Sequence, residues 1–94
     1  NAKLSGLTVG STTLSPAFDS NVLSYSANAT AATAAVTATP EMAGAQVAIS
    51  YNGANIKNGG TVTWLADGKA HPLTVTVKNG NEVMVYTVNV TKAS

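Results

Sequence analysis

Apolar and polar residues alternate along most of this chain. In residues 22–28, Leu23, Tyr25 and Ala27 share one face while Ser24 and Ser26 share the other. Val47, Ile49 and Tyr51 share a face in residues 46–51. Leu73, Val75 and Val77 oppose Thr74, Thr76 and Lys78; Met84, Tyr86, Val88 and Val90 oppose Thr87, Asn89 and Thr91. Alternation with period two predicts strands with one buried and one wet face. Residues 4–9 form a further candidate strand. A turn at Gly10-Ser11 and a short piece at 12–14 follow, before Pro16 breaks the ladder. The Ala/Thr tract at 29–35 reads as a loop entering a strand at 36–39, which Pro40 closes.

The second half is punctuated by turn signals. Asn52-Gly53 and Asn58-Gly59-Gly60 bracket a short piece at 54–57. Asp67-Gly68 separates residues 61–66 from 73–78, and Asn79-Gly80 separates 73–78 from 82–91. These dipeptides tolerate the positive φ of type I′ turns, so each reads as a hairpin signal. About seven short strands with no amphipathic helix predict a single all-β domain over residues 1–94, a sandwich of antiparallel sheets. An odd number of up-and-down strands places the two termini near opposite poles.

Composition narrows the picture. The 13 Thr and 11 Val suit a pleated, half-buried surface. Charged residues make up 10 % of the chain, with 5 Lys, no Arg and a net charge of +1. That leaves no basic stripe for nucleic acid and no polybasic membrane segment. No apolar run approaches the ~20 residues of a membrane span. Without Cys there is neither a disulfide nor a thiolate metal site. The start at Asn1 rather than Met suggests a fragment of a larger protein.

Several residue groups together resemble one family. They are Leu4-Ser5-Gly6-Leu7-Thr8-Val9, Leu14-Ser15-Pro16-Ala17-Phe18-Asp19 and Ser24-Tyr25-Ser26-Ala27. Further on come Val36-Thr37-Ala38-Thr39-Pro40, Leu73-Thr74-Val75-Thr76-Val77 and Tyr86-Thr87-Val88-Asn89-Val90-Thr91. This set is similar to the bacterial cadherin-like β-sandwich domain, and covers nearly the whole chain. The resemblance implies an immunoglobulin-like sandwich. It also implies a non-catalytic spacer, scaffold or adhesion module of a larger secreted, cell-surface or phage virion protein. Its implied partners are neighbouring domains of that protein, with the isolated domain monomeric and no membrane insertion. The Asn/Gly-rich stretch 51–60 and Trp64 depart from the family pattern, and a private function would show there.

Individual residues add one alternative. Trp64 shares a face with Val62, so an inward face makes it a core anchor. Turned outward, it would be a platform for a sugar ring, with Tyr51, Asn52, Asn55 and Asn58 supplying a second ring and amides. On that reading the domain is a carbohydrate-binding accessory module; on the other, the same residues are ordinary hairpin residues. Tyr25 and Tyr86 read as core aromatics whose hydroxyls reach a backbone carbonyl, as in a tyrosine corner. His71 is the only His, four residues after Asp67, and no Gly-x-Ser-x-Gly elbow accompanies them. The acids Asp19, Glu41, Asp67 and Glu82 are too scattered for calcium or for a general acid/base pair. The expectation is no catalytic residue, no metal and no cofactor. Val83 and Val85 fall on the nominally outer face of the last strand.

Overall fold

The computed structural model describes residues 2–10, 14–15, 18–19 and 21–93. Nine strands follow one another: β1 (Leu4–Val9), β2 (Leu14–Ser15), β3 (Ser24–Ala29), β4 (Thr33–Pro40), β5 (Gln46–Tyr51), β6 (Ala54–Ile56), β7 (Thr61–Thr63), β8 (Ala70–Asn79) and β9 (Glu82–Lys92). They form a three-stranded sheet in the order β1-β4-β7 and a six-stranded sheet in the order β2-β3-β9-β8-β5-β6. The expected sandwich is therefore present, with nine strands among the described residues where about seven were expected; β2, β6 and β7 are only two or three residues long. Residues 12 and 13 of the expected short piece lie outside the described residues.

The alternating pattern reads directly into burial. Leu4, Leu7 and Val9 of β1 meet Ala34, Val36 and Ala38 of β4 and Val62 of β7 in one core. Tyr25, Ala27 and Ala29 (β3), Ile49 and Tyr51 (β5), Leu73, Val75 and Val77 (β8) and Tyr86, Val88 and Val90 (β9) face them from the larger sheet. No polar or charged residue is buried among the described residues. Packing of apolar area therefore supplies the folding free energy.

Three expectations need correction. Leu23 was expected inside with Tyr25, but it precedes β3 and is 43 % exposed. Its carbonyl is held by the Thr87 N–H at 2.8 Å, which positions the backbone and leaves the side chain outside. Next, the Ala/Thr tract is not all loop: β4 begins at Thr33, and Ala34 is buried. Gly10 packs there with φ +56°, and a Cβ on it would lie 2.8 Å from the Ala34 Cβ. Finally, the sheets are not wholly antiparallel. β3 pairs with β9 in parallel, from Ser24↔Thr87 to Ala29↔Lys92. Parallel neighbours need a crossover rather than a hairpin, and the chain leaves β3 for β4 in the other sheet before returning.

Of the four turn signals, Asn52-Gly53 behaves as expected. It closes the Tyr51↔Ala54 pair with both residues at positive φ (50° and 87°), the signature of a type I′ loop. The β8–β9 loop is one residue later than expected. Asn79 pairs with Glu82, so Gly80-Asn81 forms the turn and only Gly80 has positive φ, as a type II′ turn requires. Asn58-Gly59 and Asp67-Gly68 are not hairpins. Each lies on a crossover between sheets, since β7 pairs only with β4.

The molecule measures 40 × 24 × 18 Å. β1 starts beside Pro40, at the end carrying the β4–β5 turn and the Gly80-Asn81 hairpin. β9 ends where the Lys92 carbonyl accepts the Gly68 N–H at 2.8 Å. The first and last described residues thus sit at opposite ends of the sandwich, as expected.

Candidate functional site

The aromatic rings divide into two clusters. In the first, Phe18 stacks on Tyr25 with ring centroids 6.0 Å apart and lies 6.3 Å from Tyr86. The Tyr25 hydroxyl donates to the Asp19 carbonyl at 2.6 Å and accepts the Asp19 N–H at 3.0 Å. This closes the segment six residues upstream, as a tyrosine corner does. The Asp19 carboxylate in turn accepts the Asn21 N–H at 2.8 Å. The Tyr86 hydroxyl accepts the Leu4 N–H at 3.1 Å, joining the last strand to the first across the core. Burial raises the Tyr86 pKa above its ordinary value, against the Leu4 hydrogen bond, which lowers it. Tyr25 thus meets its expected role, and Tyr86 is buried as expected but fastens a backbone N–H where a carbonyl was expected.

The second cluster contains the residues proposed for sugar stacking. Trp64 is 4 % exposed and Tyr51 is 5 % exposed. Their rings meet edge to face at 5.1 Å. The Tyr51 hydroxyl accepts the Leu65 N–H at 3.0 Å, and the backbone N–H of Trp64 donates to the Ala32 carbonyl at 3.0 Å. Inward-facing Val62 carries Trp64 to the same side two residues later, so the core-anchor reading holds for this ring. The indole Nε1 is buried without a hydrogen-bond partner among the described residues. A buried donor left unpaired costs about 1–3 kcal/mol; the apolar burial of the ring has to exceed that.

The three asparagines do not converge. Asn52 occupies the left-handed position of the β5–β6 turn. Asn55 lies on β6 opposite Ser50, exposed. Asn58 reaches into the other sheet, where its amide accepts the Ala38 N–H at 3.0 Å and donates to the Ala38 carbonyl at 2.9 Å. The neighbouring backbone continues the pattern: Gly59 N–H donates to Val36 O at 2.7 Å and Val36 N–H to Gly60 O at 3.0 Å. β7 pairs with β4 only over Thr33–Ala35. From Val36 to Ala38 the crossover and one side-chain amide replace the missing strand. Turn statistics favour Asn here for its backbone freedom, so the sequence concealed this use of the amide.

At the end of the sandwich that carries Tyr51 and Trp64, His71 Nε2 stands 2.9 Å from Asp67 Oδ2, and the His71 ring lies 6.4 Å from Tyr51. Asp67 Oδ1 also accepts the Lys69 N–H at 2.9 Å. The His71 hydrogen bond, followed by that of Lys69, lowers the Asp67 pKa below its ordinary value. The pair braces the β7–β8 crossover. No group of three or more His, Cys, Asp or Glu able to hold a metal occurs among the described residues. Among the described residues no helix is long and apolar enough to cross a membrane.

No curated protein sequence matches the chain. The sequence profile described as the cadherin-like beta sandwich domain matches residues 4–93. With two sheets, an all-apolar core and a profile spanning all nine strands, this chain belongs to the cadherin-like beta sandwich domain family.

Proposed function

We propose that this domain is a non-catalytic structural or adhesion module of a larger secreted, cell-surface or phage virion protein, with neighbouring domains of that protein as its partners. Family membership over residues 4–93 points to an adhesion or structural module. The observation that carries the finer reading is the commitment of the rings. Tyr25, Tyr51, Trp64 and Tyr86 are all buried, and their hydroxyls or backbones fasten loops and strands together. The opposite placement of the two ends suits a unit that separates what is attached to it.

A carbohydrate-binding module would have to work without a free face on Trp64 or Tyr51. The emission of Trp64, the only Trp, separates the two readings. The isolated domain is titrated with a panel of soluble polysaccharides. A blue spectrum insensitive to every polysaccharide is expected. A red spectrum that shifts saturably with one of them would overturn the proposal in favour of glycan binding.

A further inference from the structure

We infer that the domain is built to carry tension between its two ends, a function that rests on the structural-module reading but goes beyond it. β1 starts at one end of the sandwich and β9 finishes at the other. The two strands lie in different sheets and run in the same general direction. Pulling the ends apart therefore drags each strand along its own axis. β9 is gripped on both sides: in parallel by β3 from Ser24 to Ala29, and in antiparallel by β8 from Ala70 to Asn79. Sliding β9 along that axis loads these hydrogen bonds together, whereas peeling would break them one at a time. Breaking many at once presents the higher barrier, and forced unfolding is governed by that barrier rather than by equilibrium stability.

β1 is the weaker grip. Among the described residues it pairs with β4 alone, from Leu4↔Pro40 to Val9↔Val36, with an irregularity between Leu4 and Gly6. Two contacts reinforce its loaded end. The Lys3 carbonyl accepts the Glu41 N–H at 2.9 Å, and the Leu4 N–H donates to the Tyr86 hydroxyl at 3.1 Å in the dry core. The Tyr86 contact ties the two terminal strands directly to each other, 82 residues apart. Tension entering at β1 thus reaches β9 through a buried hydrogen bond as well as through the packed sheets.

The test is single-molecule force spectroscopy on the 94-residue chain held in two geometries. The first tethers its two ends. The second tethers Lys69→Cys and the C-terminal end, which unzips β8 from β9 starting at Ala70↔Thr91. At the same pulling rate, end-to-end rupture should need several-fold more force. Equal forces in the two geometries would overturn the inference. Tyr86→Phe should lower the end-to-end force and leave the unzipping force unchanged. Tyr51→Phe removes a hydroxyl with the same kind of role away from the β1–β9 path. It should leave the end-to-end force unchanged even where it lowers equilibrium stability. If both variants lower that force in proportion to their loss of stability, the tie has no special part in bearing load and the inference falls. A saturable polysaccharide response would fail the structural-module reading without moving either force, so the two failures are distinguishable.

Discussion

Two of the pairings in the six-stranded sheet are tight hairpins, beside the long-range pairs β3–β9 and β5–β8. β8 and β9 pair along all 10 residues of β8 across Gly80-Asn81, and β5 and β6 pair across Asn52-Gly53. The three-stranded sheet contains no hairpin. Its strands β1, β4 and β7 come from distant parts of the chain, and its order skips every sequence neighbour. One edge of β4 is completed by β7, two crossover glycines and the Asn58 amide. One sheet is thus specified in part by local turn chemistry, and the other wholly by contacts that exist only once the chain has folded. Loop closure must precede those contacts, so the smaller sheet depends more heavily on each individual fastening.

Trp64 gives the sharpest way to break this comparison. It leaves β7 and packs on Tyr51 of β5, spanning the two sheets at one end. Trp64→Ala should cost about 3–5 kcal/mol, the range for emptying a large aromatic site. Trp64→Phe should cost much less, because it retains an aromatic ring and removes the unpaired indole N–H. Urea midpoints followed by circular dichroism measure both. Equal losses for Ala and Phe would mean that the ring contributes little packing between the sheets.

The asparagines sharpen the comparison further, since two residues of one type hold the two sheets in different ways. Asn58→Gly removes the amide that satisfies both backbone groups of Ala38, and should cost about 1–3 kcal/mol. Asn52→Gly keeps the positive φ that the type I′ turn requires, and should stay within about 0.5 kcal/mol. Thermal denaturation of the two variants decides the matter. A costly Asn52→Gly beside a harmless Asn58→Gly would reverse the assignment of local turn and long-range clamp.

The same contrast explains what could be read in the chain beforehand. The alternating faces of residues 46–51, 73–78 and 82–91 translate into β5, β8 and β9, because a period of two has only one way to bury its apolar side. Asn52-Gly53 was legible because the two strands it joins pair with each other. Asn58-Gly59 and Asp67-Gly68 carry the same local signal, but it fixes only a left-handed glycine, at φ 84° and 74°. The partner sheet of the next strand is decided by long-range packing, which a dipeptide does not encode. Pro72 makes the same point in the opposite sense. It would demote a strand by local rules, yet β8 runs through it. β5 pairs with β8 only as far as Tyr51↔Leu73, and beyond that the Pro72 carbonyl accepts the Asn52 N–H at 3.3 Å. Trp64 was the hardest to place: its alternation with Val62 fixed a shared face, but the direction of that face depended on β4 lying alongside.

The smallest expected effect concerns the crossover that leads from the smaller sheet back to the larger. Asp67 braces it through His71 and the Lys69 N–H, and both contacts lower its pKa from the ordinary 3.8. A carboxyl whose pKa is depressed in the folded state adds stability above the unfolded-state value. That contribution is lost as the pH falls through the folded value. The wild-type domain should therefore lose its advantage over Asp67→Asn as the pH is lowered from 5 toward about 2, the two midpoints drawing together. Asn retains an acceptor for the Lys69 N–H and loses the charge together with the second oxygen that faces His71, so the pH dependence of the gap, rather than its size, reports the ionised form. The site is exposed, and screening keeps such pairs weak; added salt should shrink the difference at pH 5 as well. A constant gap across the titration would show that Asp67 acts through turn geometry alone. In that case the crossover, like Asn58 on the neighbouring one, is held by hydrogen bonding rather than by charge.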